Sequence, residues 1–211
     1  MTNRDGASAA YALAPALFVI LWSSGFIGAR MGVQYAEPFT VLLLRFSVVL
    51  SIMLPLSLLL RVSWPQSKSA AGHIAIAGIL MQGGYLSGCF SAVYHGMPAG
   101  MIALITGLQP ILTAFAAAPL LGERVSRVQW LGLALGFGGV TMVVWPKIGL
   151  QGLDPVSVAW ALEALCAITA GTLYQKRYCP SFDLRAGSVI QFVDELCVQR
   201  DADTNRKTLS Q

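Results

Sequence analysis

The sequence has few charged side chains. Asp, Glu, Lys and Arg make up 11% of its 211 residues, against about a quarter in an average soluble domain. Hydrophobic residues reach 55%, and this balance excludes a soluble globular protein. The net charge of +4 is spread over short connectors. Because these connectors form no basic stripe and no basic-aromatic alternation, the sequence predicts no nucleic-acid partner.

The motifs of metal sites and enzymes are also missing. The four cysteines form no CxxC pair and no short cluster with histidine, so we expect neither a metal site nor a disulfide framework. A phosphate-binding loop, a Ser/His/Asp set at helical spacing and paired carboxylates in mid-membrane are likewise absent. The sequence therefore favours a protein that is not an enzyme and uses no cofactor.

Long apolar runs fill most of the chain. A bilayer core about 30 Å thick requires roughly 20 helical residues, whose backbone polar groups must be satisfied within the helix. The sequence thus predicts an all-α integral membrane protein with the lipid bilayer as its partner. Spans 1 to 6, the six segments of sufficient length, are 11–33, 39–60, 71–95, 98–120, 128–145 and 155–175.

Basic residues are concentrated on one side of these spans. Lysine and arginine are enriched in the cytoplasmic loops of membrane proteins. With a cytoplasmic N-terminus, the inner segments hold eight of them, whereas the outer loops hold only Lys147. We therefore expect a multi-pass protein of the plasma (inner) membrane with its N-terminus in the cytoplasm. The eight inner residues are Arg4, Arg61, Lys68, Arg124, Arg127, Lys176, Arg177 and Arg185.

The pattern changes after span 6. The segment AGSVIQFV, at 186–193, begins like a seventh span, but 194–211 holds seven of the 24 charged residues and has no apolar period. Such a polar segment cannot cross lipid and is typical of a disordered tail. Two interpretations stay open. The chain is either a six-span protein with a polar tail or a longer membrane protein that was cut or frame-shifted near Val193.

Ordered motifs connect the first five spans with a known family. They are LWSSGFIGARMG in span 1, PFTVLLLRF at the start of span 2, a proline in span 4, the LGER turn at 121–124 and a glycine-rich span 5. In this order they resemble the first repeat of EamA-type transporters in the drug/metabolite transporter superfamily. The resemblance implies a ten-helix carrier of two five-helix repeats. Since five is odd, the second repeat would be inverted, and the solute site would lie between the repeats near the membrane midplane.

The resemblance also implies a division of this chain. Residues 1–147 would form the first five-helix repeat, 148–193 would form the start of an inverted second repeat with span 6 and a stump of the seventh, and 194–211 would be the tail. The expected function is a secondary carrier of small metabolites or drug-like solutes that works by alternating access, or an inactive truncated form of one. The alternative is a non-transporting membrane remnant or interaction protein without a complete path. An incomplete bundle would favour a homo-oligomer or a partner membrane chain.

Polar side chains near the middle of spans 1, 3 and 4 form the candidate solute site. Position along a helix converts into depth at about 1.5 Å per residue. Uncharged donors and acceptors beside aromatic rings suit a small organic solute of modest charge. The same residues also suit packing contacts between helices, worth about 0.6 kcal/mol each, and both interpretations stay open. The candidates are Trp22, Ser23, Ser24, Gln82, Tyr85, Thr106 and Gln109.

Five other residues have expected structural roles. Pro110 lacks a backbone N–H, so span 4 is predicted to bend near its middle, either as a passive kink or as part of the site. Arg45 and Glu163 lie about 9 and 12 Å from the outer face at 1.5 Å per residue. Because an intramembrane charge needs a partner or a water-filled cavity, we expect the two to form a structural or gating ion pair. Glu123 and Arg124 are expected to fasten the cytoplasmic turn between spans 4 and 5.

Overall fold

The computed structural model describes residues 3–65, 67–122, 125–150, 154–179 and 182–209. Its regular structure over these ranges is entirely helical. The all-α membrane fold predicted from composition is confirmed, since five helical segments have the length and apolarity of membrane spans. These five are Leu13–Gly32, Pro38–Leu59, Lys68–Tyr94, Ala99–Leu121 and Pro155–Tyr178.

The helices follow the predicted spans in chain order. Predicted span 3 is one continuous rod with a π-helical segment in its middle, and predicted span 4 consists of two shorter helices. Predicted span 5 is helical as well, although it is not one of the five membrane candidates. The elements are α1 (Asn3–Gly32), α2 (Pro38–Leu59), α3 (Lys68–Gly78), the π-helical segment (Ile79–Gly84), α4 (Tyr85–Tyr94), α5 (Ala99–Thr106), α6 (Gln109–Leu121), α7 (Arg127–Leu150), α8 (Pro155–Tyr178) and α9 (Leu184–Leu209).

Polar caps mark where several helices begin. The Ser67 hydroxyl accepts a hydrogen bond of 3.0 Å from the N–H of Ala70 at the start of α3, and the Asp154 carboxylate accepts one of 3.1 Å at the start of α8. At the start of α7, Ser126 and Gln129 form a reciprocal capping box of 2.8 and 3.2 Å. These side chains satisfy backbone donors that a helix leaves unpaired in its first turn.

The π-helical segment changes the hydrogen-bond pattern inside span 3. The N–H of Tyr85 donates to the carbonyl of Leu80, five residues earlier, whereas an α-helix bonds residues four apart. Each such turn holds an extra residue, and π turns occur frequently at functional sites. The segment directly precedes Tyr85, one of the candidate site residues.

Helix α8 lies at the centre of the bundle. It packs against α3, the π-helical segment, α4, α5 and α6. Small residues allow this approach, because Ala161 and Ala164 of α8 are both 0% exposed and Gly88 of α4 lies against the same face. Helices α1 and α7 are peripheral, and most of their described side chains are exposed.

Helix α9 differs from the expected disordered tail. It extends to Leu209, well beyond Val193, and packs along α2 and α3. Ala186 is 1% exposed, and further along the helix Glu195 is 0% exposed. The reason is tertiary: docking on two apolar helices buries one face of a segment whose composition alone gives no helical period.

Candidate functional site

A cavity of about 120 Å³ lies between α1, α2 and α4. One guanidinium and several aromatic rings form most of its wall, together with small residues of α1. The principal lining residues are Trp22, Phe26, Arg45, Tyr85, Cys89 and Phe90.

Two of the candidate residues, Trp22 and Tyr85, line this cavity, and a third, Thr106, contacts Tyr85. The rings of Trp22 and Tyr85 are stacked, with centroids 6.1 Å apart and planes inclined by 17°. The Tyr85 side chain also interacts with the hydroxyl of Thr106 on α5. Thr106 is held in place because its Oγ1 donates a hydrogen bond of 2.8 Å to the carbonyl of Ile102. The stacked pair therefore has a fixed polar neighbour at one end.

The remaining candidates lie elsewhere. Ser24 donates a hydrogen bond of 2.7 Å to a carbonyl of its own helix, and Ser23 is exposed beside it. Gln82 is half-buried in the π-helical segment and does not line the cavity. Gln109 Nε2 donates to Thr172 Oγ1 at 2.9 Å and thereby joins α6 to α8. These four side chains do not share a site with Trp22.

Span 4 is interrupted beside the predicted bend. Helix α5 ends at Thr106, α6 begins at Gln109, and Pro110 occupies the first turn of α6. Proline fits this position because the first helical turn does not need its missing N–H. A second, wider cavity of about 600 Å³ begins here between α6 and α7, and Thr113 in its wall has a buried hydroxyl without a hydrogen-bond partner.

The expected ion pair between Arg45 and Glu163 is not formed. No ion pair joins the two side chains. Glu163 instead lies against span 3, where a Cβ added at Gly84 would be 3.2 Å from its Oε1 and one added at Gly88 would overlap its Oε2. The two glycines leave a trough for the carboxylate, whereas Arg45 lines the cavity beside Tyr85. Similar depth alone did not place the two charges on facing surfaces.

Glu123 and Arg124 lie outside the described residues. The described part of the turn begins with Gly122, whose φ of 69° is left-handed and ends α6. A glycine is favoured there because other residues rarely adopt this conformation.

Sequence reasoning missed several members of the cavity, among them Arg45, Phe26 and Cys89. Arg45 was assigned to an ion pair, and Cys89 was assigned no role. Cys89 follows Tyr85 by four residues, and Phe26 follows Trp22 by four, so both lie on the same helix face as a predicted residue. Including the residue one helical turn after Trp22 and the one after Tyr85 would have identified Phe26 and Cys89.

Comparison with known proteins gives consistent matches. The EamA-like transporter family matches over residues 9–145. A protein of Salmonella typhimurium described as "Probable amino-acid metabolite efflux pump" is 25% identical over 185 residues, which cover 84% of this chain and 55% of that relative. The Escherichia coli protein of the same description is 25% identical over 177 residues, with 84% and 55% covered.

A third relative is an uncharacterized transporter of Synechocystis. It is 26% identical over 167 residues, which cover 78% of this chain and 49% of the relative. The chain thus spans about half the length of the curated relatives it matches. No solved structure matches it.

Proposed function

The chain belongs to the EamA-like transporter family, and from this premise we propose that it acts as a secondary carrier of small metabolites or drug-like solutes by alternating access. The descriptions of its relatives as efflux pumps and transporters support this function. The multi-pass membrane character of the chain rests on the same matches and on its apolar helices.

The cavity between α1, α2 and α4 is the observation that carries the proposal. At about 1.5 Å per residue, Trp22 lies about 15 Å from the C-terminal end of its span and Tyr85 about 14 Å from the end of its own. Arg45 lies about 10 Å from the N-terminal end of the antiparallel α2 by the same measure. All three therefore lie about 10 to 15 Å from the same face of a bilayer core about 30 Å thick, close to the midplane where carriers bind their solutes.

We propose that Trp22, Tyr85 and Thr106 contact the solute. Ser23, Ser24, Gln82 and Gln109, on neighbouring faces of the same spans, would border its path when the helices rearrange. The proposed division keeps a first repeat at 1–147 and the start of a second at 148–193. The basic residues of the connectors support a cytoplasmic N-terminus, and we propose a plasma (inner) membrane location.

Flux measurements test this proposal. The purified chain is reconstituted into liposomes loaded with radiolabelled amino-acid metabolites, and efflux is compared with that of empty liposomes. We expect faster efflux with the protein and a large loss of this gain in Trp22→Ala and Tyr85→Ala. Trp64→Ala is the matched control, because Trp64 lies in the connector after α2 and does not line the cavity. Flux no greater than that of empty liposomes for every solute would refute the carrier function.

The wide cavity between α6 and α7 favours a second candidate function. Its wall includes Gln109, Thr113 and Gln129, and polar groups of this kind form contacts between membrane helices. We propose as the alternative an interaction protein that pairs there with a second copy or another membrane chain. Light scattering in detergent would show a dimer that Thr113→Leu weakens, whereas a monomer at all concentrations would exclude self-association.

A further inference from the structure

Arg45 is the charged group of the cavity between α1, α2 and α4. It lies within a membrane span, and it forms no ion pair with Glu163. An arginine at this depth costs roughly 2.5–3.5 kcal/mol and must face a partner or a water-filled space. Arg45 faces the cavity, where none of the other lining residues is acidic. The cavity therefore carries one positive charge without a protein carboxylate in its wall.

From this geometry we propose, resting on the carrier function above, that Arg45 binds the carboxylate of an apolar monocarboxylate solute. A guanidinium presents parallel N–H donors that match the two oxygens of a carboxylate. A single negative charge on the solute neutralises the single positive charge of the cavity. A phosphate dianion would leave a net charge in a region of low dielectric, where an uncompensated charge is costly.

The other residues of the cavity wall indicate which chemical group is attached to the carboxylate of the solute. Trp22 and Tyr85 present stacked aromatic rings, and Phe26 and Phe90 add apolar surface. Such rings favour a flat apolar or aromatic group next to the carboxylate. A solute ammonium group would find no acidic side chain in this wall. The inferred solute is consequently a monocarboxylate without an ammonium group.

Calorimetry on the full chain in lipid nanodiscs tests the inference. The probes are 3-phenylpropionate, its neutral amide 3-phenylpropionamide and the zwitterion phenylalanine. The wild type is expected to bind the carboxylate about tenfold or more tightly than the amide, as is typical of a charge-assisted hydrogen bond. It should also bind the carboxylate more tightly than phenylalanine.

Variants at position 45 separate the effect of the arginine charge on binding from any effect on folding. Arg45→Gln should bind the carboxylate and the amide equally, and Arg45→Lys should keep part of the preference because it keeps the charge but loses the fork geometry. Arg30→Gln is the matched control, because Arg30 lies in the last turn of α1 and does not line the cavity. Melting curves without ligand show whether each variant folds. If Arg45→Gln does not fold, the wild-type preference and Arg45→Lys decide the result.

The outcomes distinguish this inference from the carrier function. Equal binding of carboxylate and amide by the wild type, or an unchanged preference in Arg45→Gln, overturns the role of Arg45. Flux of other solutes without carboxylate binding overturns the inference and leaves the carrier function standing. Arg45-dependent binding without flux of any solute supports the inference and refutes transport by this chain.

Discussion

The contact between α4 and α8 at Gly88 gives a prediction whose magnitude follows from the structure. A Cβ at position 88 would overlap the Glu163 carboxylate and would lie 2.7 Å from the Trp160 carbonyl oxygen and 2.8 Å from the Ala164 Cβ. The carboxylate can move, but the backbone oxygen moves only with α8 itself. Overpacking of this kind costs about 1–3 kcal/mol. We therefore expect Gly88→Ala to destabilise the bundle.

Gly136→Ala is the matched control for this substitution. A Cβ at Gly136 on the exposed α7 would have no neighbour within 4 Å. Both changes raise helix propensity by about 1 kcal/mol, so the difference between the variants isolates the packing term. That difference corresponds to about 5- to 150-fold in the unfolding equilibrium.

Unfolding in mixed micelles with increasing dodecyl sulfate, followed by helical circular dichroism, measures the difference. The Gly88→Ala variant should unfold at a lower dodecyl sulfate fraction than Gly136→Ala, and Gly136→Ala at the same fraction as wild type or a higher one. Equal midpoints for the two variants would mean that α4 and α8 do not meet at Gly88, and the central position of α8 would be wrong.

Two further predictions concern α6 and α9. A double-mutant cycle of Gln109→Leu and Thr172→Val should give a coupling energy of about 0.6 kcal/mol in micelles, and zero coupling would contradict the hydrogen bond between α6 and α8. Glu195 lies outside the five spans, and burial raises the pKa of its carboxyl. The folded protein therefore holds the Glu195 proton more tightly than the unfolded chain does. The free energy of unfolding should be greatest below the unfolded pKa of about 4.3 and should fall as pH rises through the native pKa. Thermal unfolding across pH should show this fall in wild type but not in Glu195→Gln, and the same fall in both would contradict the burial of Glu195.

The sequence was sufficient for five of the six predicted spans but only for part of the site. Apolar length predicts a membrane helix because the bilayer imposes the same requirement on every span. Depth along a helix identified Trp22 and Tyr85, which do meet. Depth does not identify the helix face, however. Successive residues turn by about 100°, so Ser23 and Ser24 point away from the cavity that Trp22 lines.

The position of Arg45 shows the same limit. A similar expected depth for Arg45 and Glu163 says nothing about which neighbouring helix each side chain faces, because that depends on packing between spans. Two glycines of span 3 accommodate Glu163, and this leaves Arg45 to the cavity. The helix of α9 was missed for a related reason, since contacts with α2 and α3 rather than its own composition hold it.

The π-helical turn at Ile79–Gly84 determines how α4 is rotated about the helix axis relative to α3. If the same residues wound as a regular α-helix, without the extra residue in this turn, α4 would be rotated about its axis by about 100° relative to α3. Tyr85 would then swing off the Trp22 ring, while α3 would keep its contacts with α9. The winding of a single turn thus selects which side chains of span 3 are presented to α1.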